Sequence, residues 1–239
     1  MSLEKLLSAV TDHYTDRGFP NSALQHLKKT LTKHYRDDGT LIFRGVYDLQ
    51  KSTEKLVQEP PAFPRWNCVA PPKAKVRDAD AILGFSCGYR LRKYSDGGAG
   101  ARLPGLNNRA LAKIAVALKK EFQLPLYAQF EIADAIEDYT DSAPDYRTPT
   151  EDMGTKKVIA YFVHHRVVKN DSTFGKVIVV AHRHHIGRCL ILLEQDFGIT
   201  AYPYGEQYEK YDPHECQRRA RDANELIVSD FVSMAARAK

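Results

Sequence analysis

The sequence predicts an α/β protein: a mainly parallel β-sheet with helices on both faces, preceded by a helical extension and followed by a C-terminal helix. Two observations carry this. From about residue 78 onward, short apolar runs alternate with segments of helical periodicity, the pattern of strands joined by crossover helices. Glycine or polar clusters follow the apolar runs at once, and such sheets bind ligands there, outside the carboxyl ends of the strands. A chain of 239 residues is long enough for one large α/β domain with a small extension.

Taken in order, residues 2–35 read as two short helices. Leu3, Leu6, Leu7 and Val10 recur at helical spacing, and Gly18-Phe19-Pro20-Asn21 interrupts them. Asn21 or Ser22 then caps a second helix carrying Leu24, Leu27 and Leu31. Asp37-Asp38-Gly39 reads as a turn, and 44–58 as a third helical segment. Proline density over 59–73 removes amide donors and ends regular structure. That loop divides a helical extension with its linker, 1–73, from an α/β domain with its C-terminal helix, 74–239.

In the second part, Ala79–Phe85 is an apolar run ending in Gly84-Phe85 and predicts the first strand. Residues 106–122 place Leu111, Ile114, Ala115, Leu118 and Phe122 on one helical face. Gln123-Leu124-Pro125 breaks that helix, 126–130 predicts a strand and 131–139 a helix. Residues 141–150, rich in Asp, Pro and Thr, read as a loop. Lys156–Lys169 is helical, with Val158, Ile159, Phe162, Val163 and Val167 as its apolar set. A strand at 177–181 leads into a helix with Ile186, Cys189, Leu190, Leu193 and Phe197 on one face. Gly198 is a left-handed residue closing it, and 199–202 is a further strand. Asp212-Pro213-His214-Glu215 resembles a capping box with proline at the first helical position, and predicts a helix from there to about 236.

Composition narrows the function. Hydrophobic content of 43% and charged content of 27% are those of a soluble globular protein. The formal charge of +5 allows an anionic small ligand or loose nucleic-acid contact and demands neither. Basic and acidic residues are interspersed with no Lys/Arg block, so no specific nucleic-acid partner is expected. The four cysteines form no CxxC pair and read as reduced thiols. No apolar run approaches the ~20 residues of a membrane helix, and the start has no signal-peptide core. The expectation is a cytoplasmic protein with no membrane partner.

Chemistry concentrates at two strand ends. Gly84-Phe85-Ser86-Cys87-Gly88, with Asp96-Gly97-Gly98-Ala99-Gly100 beyond it, allows close backbone approach and amides that cradle an anion. The spacing is not that of a dinucleotide fingerprint. His182-Arg183-His184-His185-Ile186-Gly187-Arg188 stands where a strand gives way to a helix, whose free amides favour negative charge. Arg188 adds a planar fork suited to phosphate or carboxylate, and a neutral histidine there is suited to acid–base work. Read blandly, 182–188 is a solvated loop whose histidines cap the helix. His182, His184, His185, Cys189 and His164-His165 are zinc-type ligands, but their spacing matches no zinc motif and the neighbouring arginines repel a cation. His164-His165 sits late in a helix, where dipole contacts explain it. Arg109, Glu131 and Thr155 begin helices after strands or loops; Thr155 is read as a cap.

Three pieces in order, AILGFSCG, LPGLNNRALAKIAVAL and VIVVAHRHHIGRCLILLEQDFGITAYP, resemble the YdcF-like (SanA/ElyC-type) family of domains over about 79–205. His185 and Arg188 fall on that family's His-x-x-Arg, and Arg109 on the arginine of its following helix. The sequence departs from the pattern after the second strand, where Gln129-Phe130-Glu131 stands in place of Ser-Gly-Gly. It departs again at Thr155, which has no companion asparagine. The resemblance implies a Rossmann-like three-layer α/β/α domain with a crevice at the strand carboxyl ends. It also implies nucleotide-like ligands such as S-adenosylmethionine.

The leading expectation is therefore an anionic, nucleotide-like small molecule bound by Gly84, Ser86, Gly88, Arg109, Glu131, His182, His184 and Arg188. Three alternatives stay open. One is a phosphoester hydrolase or transferase with His185 as its catalytic acid or base. The second is a zinc protein. The third is a non-catalytic interaction module whose terminal helices pair with a partner.

Overall fold

The computed structural model describes residues 2–16, 19–36, 42–43, 47–48, 76–91, 102–140, 143–151, 153–203, 211–217 and 220–237. In chain order the elements begin with α1 (Leu3–Asp16), α2 (Asn21–His34), β1 (Ile42–Phe43) and β2 (Tyr47–Asp48). Next come β3 (Ala81–Gly84), β4 (Arg90–Leu91), β5 (Arg102–Leu103), α3 (Leu106–Phe122), β6 (Leu126–Ala128), α4 (Phe130–Tyr139) and β7 (Tyr146–Arg147). The remainder is α5 (Thr155–Asn170), β8 (Lys176–Val180), α6 (Arg183–Ile191), a π turn (Leu192–Asp196), β9 (Thr200–Pro203) and α7 (Ala223–Arg237).

The chain divides into two compact units: Met1–Asn67 with Arg218–Lys239, and Cys68–Gln217. In the first, α1 and α2 bury Leu6, Val10, Tyr14, Ala23, Leu24, Leu27 and Leu31, and α7 buries Leu226, Ile227 and Phe231. The Tyr14 hydroxyl donates to Asp230 Oδ2 at 3.1 Å, linking α1 to α7. These units differ from the division expected at 73/74. The C-terminal helix belongs with the N-terminal helices, because its apolar face is covered by α2.

The second unit holds a parallel five-stranded sheet in the order β7-β6-β3-β8-β9. Its central strands, β3 and β8, are buried on both faces except at Lys176, which explains their unbroken apolar runs. Alternate residues point to opposite layers. Gly84 lies under Ile132 of α4, with 3.5 Å to an added Cβ. Phe85, the next residue, meets Phe162 of α5 edge-on at 5.7 Å. On the first side α3 packs along α4, and α5 packs beside the π turn. This is a Rossmann-like three-layer α/β fold.

Several expectations change locally. Tyr47–Asp48 pairs antiparallel with Ile42–Phe43, so a helix over 44–58 does not form there. The rest of that segment lies outside the described residues, as do Asp37-Asp38-Gly39, 59–73, 96–100 and Cys68. Asn21 begins α2 and does not cap it; Pro20 holds the cap position with no side-chain bond. Thr155 likewise begins α5 behind Gly154, with no side-chain cap bond. A short strand, β7, lies inside the predicted loop 141–150. The predicted helix from 186 onward widens into the π turn, burying Leu192 and Leu193. Gly198 closes it at φ +66, as expected.

The largest change concerns Asp212. Residues 212–217 are turns and bends, and the helix starts only at Ala223. Asp222 caps it, accepting from the Glu225 amide at 2.9 Å. Asp212 does make a local turn, accepting from the His214 amide at 3.1 Å, but its carboxylate is used mainly at a distance, as described next.

Candidate functional site

In chain order the strands occupy the positions third, second, first, fourth, fifth across the sheet. The order reverses between β3 and β8, and a reversal is where an open α/β sheet leaves a crevice at its carboxyl edge. These two strands end level. Gly84 pairs with Val180, and the Phe85 amide donates to the Val180 carbonyl at 2.9 Å. The loops beginning at Phe85 and Ala181 therefore open side by side.

The loop after β3 is tightly held. The Ser86 amide donates to Gln129 Oε1 at 3.1 Å, and the Cys87 amide to Asn108 Oδ1 at 2.8 Å. Asn108 Nδ2 in turn donates to the Gly88 carbonyl at 2.7 Å. Gly88 has φ +76, a conformation that favours glycine. Two of the amides expected to cradle an anion are therefore already bonded within the chain. Gln129 holds the first of them, and Asn108, fully buried, holds the second and the Gly88 carbonyl. Only its place in the first turn of the helix after the glycine-rich loop could have marked it in the sequence.

On the other side, the His182 carbonyl caps α6, accepting from the His185 amide at 2.8 Å and the Ile186 amide at 2.9 Å. The His182 ring is fully buried and lies 5.1 Å from the Tyr211 ring. His184 and His185 occupy the first turn of α6. His185 and Arg188 are half-buried. Cys189 behind them is buried, which pushes its thiol well above the usual range.

Glu131 lies in the first turn of α4, directly beyond β6, and is 3% exposed. Burial pushes its carboxyl up to about 7, against the pull of its own amide, the Ser86 hydroxyl and the Arg102 charge. Its Oε2 is buried without a hydrogen-bond partner. Ser86 and Glu131, chosen separately from the sequence, thus meet.

Arg109 does not join them. It is exposed and pairs with Asp138 at 3.2 Å. Gly84 is a sheet position packed under α4. Among the described residues, no group of three His, Cys, Asp or Glu side chains is arranged to hold a metal ion. His165, one of the zinc-type residues, stacks on Tyr146 at 3.9 Å and 19°.

A second cluster at the same edge was not foreseen. Gly105 stands at the N-cap position of α3 and has no side chain to cap it. The cap comes from Asp212, whose Oδ2 accepts from the Leu106 amide at 2.9 Å. Arg90 grips the same carboxylate with two bonds of 2.7 Å. Burial alone would raise Asp212, but Arg90 and the Leu106 and His214 amides hold it below the usual carboxylate range. Glu215 is also fully buried here. A Cβ added at Gly105 would fall 1.8 Å from Glu215 Oε1 and 2.9 Å from Asp212 Oδ2. The helix N-terminus after the first strand is therefore filled by the chain's own carboxylates.

Fold and site together define the class: a Rossmann-like α/β protein whose strand order reverses between β3 and β8. No family model matches the chain, and no curated protein or solved structure matches it either. Among the described residues, no helix is long and apolar enough to cross a membrane.

Proposed function

We propose that the protein binds an anionic, nucleotide-like small molecule, S-adenosylmethionine among the candidates, in the crevice between the loops after β3 and β8. The observation that supports this most is the level pairing of Gly84 with Val180 at the strand-order reversal. It opens the loop of Ser86 and Gly88 beside the start of α6, whose N-terminal end favours negative charge, with His185 in its first turn and Arg188 in its last. The resemblance of 79–205 to YdcF-like domains belongs to the same proposal, since His185 and Arg188 are its residues. The occupied N-terminus of α3 shifts the anion toward α6 and α4. Calorimetric titration and thermal-shift measurement with mono- and dinucleotides and S-adenosylmethionine test the reading. Micromolar binding weakened by Arg188→Ala is expected, and no binding of any of them removes it.

A second reading is a phosphoester hydrolase or transferase with His185 as the catalytic acid or base. Its support is the half-buried position of His185 in the first turn of α6, at the same edge. Turnover of phosphoesters that is lost in a folded His185→Ala variant separates it from binding alone.

A further inference from the structure

A carboxyl group is an odd feature in a crevice read as taking an anion. Glu131 is 3% exposed, in the first turn of a helix that opens at the carboxyl end of β6. Its Oε2 is buried with no hydrogen-bond partner. The Ser86 hydroxyl and the Glu131 amide act on the carboxyl from nearby. Buried polar atoms in native proteins are almost always paired, so an orphan marks a place that something outside the chain completes. Ionised, this group would repel an anion. Protonated, it carries a hydroxyl that donates. An acid's proton goes to an oxygen that accepts no hydrogen bond, and Oε2 is such an oxygen.

We infer that Glu131 acts as a carboxylic acid in the site, its Oε2 hydroxyl donating to a phosphoryl, sulfate or carboxylate oxygen of the ligand. This rests on the anion-binding reading above and specifies its chemistry. Three groups act on Glu131 from the surrounding elements. Ser86, in the loop after β3, and Arg102, on β5, favour the ionised form; Asp134, one turn along α4, opposes it. Burial, with Asp134 on its side, outweighs Ser86, Arg102 and the group's own amide, so the group is poised near neutrality in the free protein. A ligand anion favours the protonated form, so binding takes up a proton. Affinity is then level at pH values where Glu131 is already protonated. It falls by up to about tenfold per pH unit above the free protein's value.

The test is calorimetric titration with sulfate and with cyclic AMP, both of fixed charge across neutral pH, in buffers of different ionisation heat. At pH 7 roughly half a proton should be taken up per ligand, rising toward about one a unit higher. Other groups can add linkage of their own, so the share of Glu131 is the part lost in Glu131→Gln. That variant keeps a donor, should bind within a few-fold of wild type, and should lose the decline above neutrality. Proton release on binding would mean that Glu131 ionises to accept a ligand hydroxyl, and it overturns the inference. Linkage unchanged by Glu131→Gln overturns it too. The protonated state is read separately from a buried carboxylic-acid infrared band that disappears in Glu131→Gln. Absence of that band in mildly acidic buffer removes the inference while leaving anion binding intact. Silence from both probes in the same buffer, with the band present, removes both readings.

Discussion

The N-termini of α3 and α4 open on the same edge of the sheet, and the chain furnishes them in opposite ways. At α3, Asp212 already accepts the Leu106 amide and is clamped by Arg90, with Glu215 packed beside it. At α4, Glu131 leaves an oxygen buried and unmatched. The first carboxylate is held below its usual range and the second is raised to about 7. The same residue type at the same kind of helix end can thus complete the structure or leave a vacancy, and the neighbours decide which. A helix N-terminus attracts anions in general; here Asp212 caps the first such end, while at the second Thr148 takes the Phe130 amide at 3.1 Å and Glu131 is left with one oxygen over.

The sharpest way to break this contrast is Asp212→Ala. It removes two bonds to Arg90 and the cap on Leu106 from a fully buried side chain. A loss of about 3 kcal/mol is expected in urea unfolding, because Arg90 is left partly buried and unpaired. The pH sense follows from the lowered Asp212 value. Its contribution is complete above the unfolded carboxylate's pKa and disappears as pH falls through the folded one. Asp212→Ala should therefore flatten the acid limb of the stability profile.

Glu131→Gln tests the other end and should act in the reverse direction. With a folded value of about 7 against an ordinary 4.5, the wild type loses stability as pH rises from the second value to the first. The neutral variant avoids that loss. It should match wild type in acid and exceed it by up to about 3 kcal/mol in mild alkali. Equal stability throughout would mean that Glu131 is ionised in the native protein. The smallest effect belongs to Arg109→Ala, at the exposed Asp138 pair. A change of about 0.5 kcal/mol or less is expected, with anion affinity unaltered.

How much of this could be read from the residues follows from what each feature depends on. The helix at 106–122 was legible to the residue, because its apolar repeat is bounded by Gly105 on one side and Gln123-Leu124-Pro125 on the other. The strands β3 and β8 were legible because burial on both faces leaves unbroken apolar text. β7 was not, since two residues carry no alternation. For α5, Val163 and Val167 were placed in the apolar set, yet Val167 is exposed and Thr155 is buried. The apolar stripe ends where the helix runs past the sheet. Asp212 was misread for a definite reason. Its local motif is a cap signature, but the amide it caps lies 106 residues earlier. A hint was present in Gly105, a helix start with no capping side chain of its own, which must be capped from elsewhere or not at all. In the candidate site, Ser86, Glu131 and the start of α6 were found by counting from strand ends. Asn108 and Gln129, which fix the loop, were not, because their partners are backbone amides that leave no mark in sequence.

The pairing of Tyr14 with Asp230 bears on how the protein comes into being. The unit that begins the chain needs residues 218–239 to finish its core, whereas everything required by the sheet unit lies within 68–217. On the ribosome the inner domain can mature first, while α1 and α2 wait with their apolar sides uncovered until Ala223–Arg237 emerges. A chain cut after residue 217 would hold a finished sheet and a pair of sticky helices in need of a chaperone.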